Sequence, residues 1–480
     1  MWQPVLMISG YFISVLGIAM LFPAALDIYD THQNWSPFLS SAIIALFVGM
    51  SLYLGNHTKI HKISIQQGYL LTVVSWFSVS LMAAIPFVFS GAINGWDNAI
   101  FEAASGISTT GATIITNLDN APRSILLWRA ILNGLGGVGI VIFAIAMLPF
   151  LGIGGMQIFQ RENSDFNDKL MPKISYIAKR IIIIYLSLTI ICIICLYFAG
   201  MNMFDAICHG IATIATGGMS TKNASIGYFN SPLIETIVML FMIIGALPLM
   251  LYHTIIINRG ANSLRVEQVK FFLKILLFYV CGTTLWLIFK GTYNLQDAIR
   301  YASFNVVSLT TSTGFSSTDY LLWGPFAATI FIIFAMTGGC TGSTAGSIKI
   351  FRWQVIWGYL KRAIITTVEP NRVIPVKIGH ITGDNRIVSS VFTFFAAYFF
   401  CFVALSLLIG FSGVDFDTAF GSVIACFTNT GPSISATTGP AGNYYEFSAY
   451  CKYILSFAML LGRLDVLTVL ALFSRNFWHN

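Results

Sequence analysis

Four short stretches of this chain share one pattern. They are Ser108-Thr109-Thr110-Gly111, Ala215-Thr216-Gly217-Gly218, Thr311-Ser312-Thr313-Gly314 and Thr428-Asn429-Thr430-Gly431. An alanine precedes each final glycine by 12 residues (Ala99, Ala206, Ala302, Ala419), and a hydroxyl follows it by two (Thr113, Ser220, Ser316, Ser433). The final glycines are 107, 96 and 117 residues apart, a spacing that marks an internal repeat. Four Gly-ended loops between apolar segments predict a ring of backbone carbonyls.

The segments around these loops are those of a membrane protein. Of the 480 residues 56% are hydrophobic and 9% charged, against about 25% charged in soluble domains. A spanning helix needs about 20 apolar residues. Candidate spans are Val5–Ala25, Phe38–Leu54, Gly68–Phe89, Ile125–Phe150, Ile181–Phe198, Thr236–Ile257, Val269–Phe289, Phe326–Met336 with a broken continuation, Ile387–Phe411 and Tyr453–Phe473. The first lacks a basic leader and a small-residue cleavage site, so it reads as a retained helix. The last eight form pairs with one Gly-ended motif inside each pair. The motif segments are too short and polar to cross a bilayer. Irregular backbone survives at membrane depth only when buried in protein or facing a wet cavity. The fold expected is therefore all-α and polytopic: four helix–re-entrant pore loop–helix repeats around a central pore, preceded by two extra transmembrane helices. The boundaries are 1–66 for the two extra helices, then 67–160, 161–260, 261–370 and 371–480 for the repeats.

Lys and Arg are concentrated on one set of loops, including Lys59, Lys62, Arg161, Lys169, Lys361, Arg362, Arg372 and Arg475. That side is expected to be cytoplasmic, which puts both termini inside and brings the pore loops in from outside. The opposite side carries more acids, among them Asp97, Glu102, Asp205, Glu235 and Asp415. A negative mouth concentrates cations. The net charge of +7 comes from the inner loops and signals orientation rather than nucleic-acid binding. The eight cysteines, including the Cys192/Cys195 pair, fall mostly in apolar runs and read as packing residues.

A ring of backbone carbonyls replaces the hydration shell of a potassium ion. The candidate filter residues are Thr110, Gly111, Gly217, Gly218, Thr313, Gly314, Thr430 and Gly431. Threonine holds an extended backbone well, and a short helix ending at the loop offers its negative end to a cation. Nine residues before the glycines stand Glu102, His209, Asn305 and Ser422. Glu102 reads equally as an anchor behind the loop or as a mouth charge.

The stretch Thr337-Gly338-Gly339-Cys340-Thr341-Gly342-Ser343-Thr344-Ala345-Gly346-Ser347 interrupts the second helix of the third repeat. Each glycine weakens a helix by about 1 kcal/mol relative to alanine. Gly338, Gly339, Thr341, Gly342, Ser343, Thr344 and Gly346 are expected to form an unwound loop beneath the filter that gates it. The glycines from Gly134 to Gly139 read as a packing seam rather than a hinge. Arg463 lies in apolar helix, where a charge is costly and faces a wet path or a partner. It is expected to be a barrier facing the pore, the other reading being a salt bridge to Asp465 or another helix.

These motifs together resemble the Trk-type potassium uptake proteins, the TrkH-like branch of the Trk/Ktr/HKT superfamily. The resemblance rests on Ser105 to Thr113, Asp205 to His209 leading to Thr216–Thr221, Phe304 to Ser308 leading to Phe315, Asn429 to Pro432, Gly338 to Lys349, and Gly462 to Asp465. It implies K⁺ uptake across the bacterial inner membrane, a homodimer with one pore per subunit, and regulation by a cytosolic TrkA-type nucleotide-binding subunit. Any nucleotide would belong to that subunit, because this chain has no Gly-rich phosphate-binding fingerprint. Met219 departs from the aromatic expected there. Two other classes fit the chain less well. A secondary transporter of a small organic solute uses paired broken helices at a midplane site, and here a single broken helix is evident. A membrane enzyme lacks support, since neither HExxH nor GxSxG occurs.

Overall fold

The computed structural model of the protein describes residues 1–31, 35–58, 64–147, 170–258, 267–372, 376–378, 381–383 and 385–479. Lys59, Lys62, Arg161, Lys169, Arg259, Arg265 and Phe150 lie outside the described residues. The described chain is helical: α1 (Trp2–Ala19), α2 (Leu21–Tyr29), α3 (Trp35–Gly55), α4 (Ile65–Phe89), α5 (Trp96–Ile107), α6 (Arg123–Met147), α7 (Leu170–Phe198), α8 (Met203–Ile214), α9 (Pro232–Ala246), α10 (Leu249–Asn258), α11 (Glu267–Phe289), α12 (Leu295–Thr310), α13 (Pro325–Thr337), α14 (Ile350–Val368), α15 (Asn385–Gly410), α16 (Phe416–Phe427), α17 (Ala449–Leu464), α18 (Val466–Ala471) and α19 (Arg475–His479). A hairpin pairs β1 (Val376–Ile378) with β2 (Ile381–Gly383), Lys377 opposite Thr382. It is a small addition to an otherwise all-α polytopic membrane protein.

Among the described residues seven helical segments are long and apolar enough to span a membrane, and the bent pair α9–α10 makes an eighth. Ten spans were expected. The difference is physical. α13 and α17 have 13 and 16 residues, and at 1.5 Å per residue they rise only about 20–24 Å against a hydrocarbon core of about 30 Å. Both stop where the backbone turns left-handed, at Gly338 (φ +73°) and Asp465 (φ +72°). α9 and α10 meet at 89°, because Leu247 is extended and Pro248 contributes no N–H. So the second helix breaks after the second, third and fourth motifs, where the sequence shows one break. α6, after the first motif, runs unbroken to Met147.

The freed polar groups at these breaks satisfy one another. Cys340 N donates to Ala246 O at 2.9 Å, Thr344 N to Gly245 O at 3.3 Å, and Leu249 N to Gly342 O at 3.0 Å. The segment between α13 and α14 thereby caps the α9–α10 bend. Unpaired, each buried backbone group would cost on the order of a few kcal/mol.

Small residues let the long helices approach closely, as they do where lipid supplies no driving force for helix association. A Cβ on Gly49 of α3 would lie 2.7 Å from the Gly10 oxygen of α1. The Gly134–Gly139 run also packs: a Cβ on Gly136 would run into the Ile107 carbonyl, and one on Gly137 would sit 2.9 Å from Ala215 Cα. α6 thus seats the ends of two short helices, α5 and α8.

Replacing Gly49 with leucine should push α1 off α3 and destabilise the protein by about 1–3 kcal/mol, the usual cost of overpacking. Thermal unfolding of the detergent-solubilised variant checks this, and an unchanged midpoint would contradict the crossing.

Candidate functional site

Four short helices, α5, α8, α12 and α16, carry the Gly-ended motifs at their C-termini. Three begin with a side-chain cap: Asn202, Asn294 and Asp415 accept from the backbone N–H groups of Asp205, Asp297 and Thr418 at 2.8, 2.8 and 3.1 Å. All four end alike. Thr110 N, Gly217 N, Thr313 N and Thr430 N each reach back five residues, to Ser105, Ala212, Ser308 and Ala425 oxygens, all at 2.9 Å. Thr109, Thr216, Ser312 and Asn429 reach back three residues and hold φ of +54°, +50°, +54° and +55°. This is the Schellman termination, whose left-handed position usually takes glycine. Here polar side chains occupy it, at about 1 kcal/mol or more each.

The backbone then turns again at the glycines, with φ of +84° at Gly111, +65° at Gly218, +85° at Gly314 and +90° at Gly431. These positions border one another in a closed ring. A Cβ added at Gly111 would meet Gly217 O, one at Gly218 would meet Thr313 O, one at Gly314 would meet Thr430 O, and one at Gly431 would meet Thr110 O. All four glycines line a single cavity with Thr113, Ser220 and Ser316. No cluster of His, Cys, Asp and Glu suited to a metal is found among the described residues. The residues lining this cavity present peptide and hydroxyl oxygens and include no Asp or Glu.

The second motif has glycine where the others have threonine, and the structure supplies a reason. A Cβ on Gly217 would lie 2.5 Å from the side chain of the buried Asn133 on α6. The other three positions keep a hydroxyl, held by the hydroxyl two residues earlier: Thr110 by Ser108 at 2.7 Å, Thr313 by Thr311 and Thr430 by Thr428 at 2.8 Å.

Behind the ring, Glu102 is an anchor and not a mouth charge. It is fully buried and accepts from Thr113 Oγ1 at 3.0 Å, Ile114 N at 2.9 Å and Arg129 Nε at 2.6 Å. His209 meets Ser220 Oγ at 2.9 Å, and Asn305 Nδ2 donates to Ser317 Oγ at 3.0 Å. Ser422 differs, its hydroxyl donating back to Ala419 O on its own helix at 3.1 Å. Some of the acids predicted to form a negative mouth are ion-paired: Arg123–Asp30, Arg300–Glu235 and Lys452–Asp97 lie at 2.9, 2.7 and 3.5 Å.

Beneath the ring lies the Gly338–Ser347 segment, buried except at Thr341 and Gly342. It is tightly bonded. Thr344 Oγ1 donates within reach of both Ile214 O (2.9 Å) and Gly245 O (3.0 Å), and Gly346 N donates to Ser312 Oγ at 2.6 Å. Ser343 Oγ donates to Cys340 O at 2.6 Å. Gly338 and Gly342 have positive φ, and a Cβ on Gly339 would lie 2.6 Å from Ala345 Cβ. Arg463, on α17, is buried and donates from Nη1 to Thr344 O at 2.8 Å, while its Nε and Nη2 have no protein partner among the described residues. It does not pair with Asp465, which binds Arg352 at 2.5 Å instead.

Sequence reasoning missed Asn133, Asn429 as a cross-link, Tyr320 and Tyr444. Tyr444 donates its hydroxyl to Gly431 O at 2.9 Å and its N–H to Thr113 O at 2.9 Å. Its second partner lies more than three hundred positions away, so no local signal marks it.

A ring of helix-terminal backbone at the centre of an apolar bundle, with an unwound segment packed beneath it, defines a membrane transport protein rather than an enzyme. The profile of the TrkH family, described as a cation transport protein, matches residues 35–480. The chain belongs to that family. It is 35% identical over 479 residues to a Trk system potassium uptake protein, TrkI, of Halomonas elongata, covering 99% of this chain and 97% of that one. It is 35% identical over 478 residues to TrkH of Escherichia coli K12, covering 98% of each. The crystal structure of the potassium transporter TrkH from Vibrio parahaemolyticus superposes with a TM-score of 0.92 at 32% identity, covering 100% of both chains.

Asn429 Nδ2 donates to Thr110 Oγ1 at 3.0 Å and to Met459 O at 2.8 Å. Losing both in Asn429→Ala should cost about 2 kcal/mol and lower the thermal midpoint. An unchanged midpoint would show that neither bond matters to the fold.

Proposed function

We propose that this chain carries potassium inward across a bacterial inner membrane through the ring formed by Thr110, Gly111, Gly217, Gly218, Thr313, Gly314, Thr430 and Gly431. The observation that carries the reading is the closed order of the four motifs, each glycine set against the peptide oxygen of the next. Peptide oxygens at such a ring exchange for a cation's hydration shell at little cost. The four short helices end at it, and their negative ends favour a cation beneath. The Halomonas, Escherichia and Vibrio relatives, two potassium uptake proteins and a potassium transporter, support K⁺ as the permeant ion.

In this reading Gly338, Gly339, Thr341, Gly342, Ser343, Thr344 and Gly346 are the gate. The loop blocks the path while Thr344 and Gly346 hold it against α8, α12 and the α9–α10 bend. Arg463 holds the loop through Thr344 and sets a positive charge under the ring. Opening requires those bonds to break, and a cytosolic TrkA-type nucleotide-binding subunit acting on the basic inner loops would supply the differential binding. The chain itself binds no nucleotide in this scheme. It works as a homodimer, with four pore repeats over 67–160, 161–260, 261–370 and 371–480, and both termini face the cytoplasm. The extra helix breaks found here do not favour an organic-solute site: at two of them the freed backbone groups bond to one another, Cys340 N to Ala246 O and Leu249 N to Gly342 O, instead of facing a solute.

Flux of ⁸⁶Rb⁺ or K⁺ into proteoliposomes tests the function. Uptake is expected with the regulatory subunit present, and its absence would reject the reading. Arg463→Ala should raise basal flux about tenfold, the change in rate for a barrier lowered by about 1.4 kcal/mol; unchanged flux would reject the barrier role. Gly314→Val should abolish selective flux, because its side chain would run into the Thr430 carbonyl at a left-handed position.

A further inference from the structure

The carbonyl two residues beyond each motif glycine accepts a hydrogen bond, and the donor always comes from the preceding repeat. Arg129, following the first motif, donates from Nη1 to Ser220 O at 2.8 Å. Gly227, following the second, donates from its N–H to Ser316 O at 3.1 Å. Tyr320, following the third, directs its hydroxyl to Ser433 O at 3.5 Å. Tyr444, following the fourth, donates from its N–H to Thr113 O at 2.9 Å and closes the circle. The four donors differ chemically, but the direction around the ring is the same throughout.

We propose that Arg129 is a positioning residue for cation selectivity, and that it acts as the charged link of this closed ring of donors. The inference rests on the carbonyl-ring reading of the motifs. A carbonyl that accepts from a fixed donor has one lone pair fewer for an ion and its peptide plane is held. The ring therefore holds the peptide planes just beyond the glycines and fixes the spacing between neighbouring repeats. Two links depend on side chains, Arg129 and Tyr320, and only Arg129 is ionic. Its guanidinium is 2% exposed and lines the same cavity as the four glycines. Glu102, with no exposed surface, takes its Nε at 2.6 Å and the return strand of the first motif through Thr113 and Ile114. One buried ion pair thus spans the first and second motifs. Removing one partner strands a buried charge, so Glu102 and Arg129 act as a unit. Tyr320 is fully buried against Phe331, ring centroids 4.4 Å apart, and makes the longest link, the one expected to matter least.

The test is the reversal potential of the reconstituted protein under opposed K⁺ and Na⁺ gradients. Arg129→Gln should lower the K⁺/Na⁺ permeability ratio about tenfold, and Tyr320→Phe about twofold in the same direction. Glu102→Gln should match Arg129→Gln, and the double variant should be no worse than either alone, as expected of groups that act as one. A merely structural pair would reduce the amount of folded protein and leave the ratio of the surviving protein unchanged, and that result overturns the proposal. Should Arg129→Gln fail to fold, Arg129→Lys and Tyr320→Phe decide: an unaltered ratio in both overturns it. Wild-type protein that does not discriminate K⁺ from Na⁺ would reject the carbonyl-ring reading itself, a distinct outcome.

Discussion

Every buried peptide group in an apolar surround must find a partner in the protein, and this single requirement explains most of the irregular backbone here. A helix that stops at membrane depth within packed protein has little water to bond, and an unpaired N–H or C=O there costs several kcal/mol. Four helices stop in this way, at Ile107, Ile214, Thr310 and Phe427. Each folds its own chain back through the same pair of hydrogen bonds, so termination is built into the motif. The breaks at Leu247, Gly338 and Asp465 lack that local solution. Two of them meet each other: the loop after α13 takes the groups that the α9–α10 bend releases. The third brings Arg463 to the carbonyl of Thr344.

The same accounting explains how four similar motifs tolerate dissimilar neighbours. Asn133 fills the space of a threonine side chain beside Gly217. Glu102, His209 and Asn305 stand at one position of three short helices and each holds the returning strand, one as a carboxylate, one as an imidazole, one as an amide. Ser422 does not, and at the fourth motif Tyr444 reaches in from the following loop to bond Gly431. The backbone geometry is nearly fourfold while the supports are not. Local identity of the support matters less than that a donor or acceptor arrives at the right peptide.

Charge is the second place where position overrides count. Glu102, Glu235 and Asp97 add to the acidity of one face on paper, but each is in an ion pair with a base of the same face. Such pairs cancel at short range and brace neighbouring segments. Arg463 is the reverse case: a buried guanidinium whose one bond among the described residues is to a carbonyl. Its neighbour Asp465 pairs with Arg352, the helix having broken at Asp465 itself, whose φ is left-handed.

Hydrophobic run lengths, the recurrence of Gly-ended motifs and the glycine-rich interruption were legible in the chain itself. These depend on local rules: about 20 apolar residues to span a bilayer, glycine where φ is positive, and helix loss where glycines cluster. They were enough to mark the membrane class, the four turns and the unwound segment. Leu247-Pro248 and Asp465 were not read as breaks, since a lone Pro or a lone Asp in an apolar run is ambiguous until neighbouring helices offer partners. The partners of Glu102, the clash that makes Gly217 a glycine, and the reach of Tyr444 to Thr113 join residues from different helices. Their sequence separations carry no periodic signal, so only the packed tertiary structure, which decides which polar groups meet in a dry interior, could assign them.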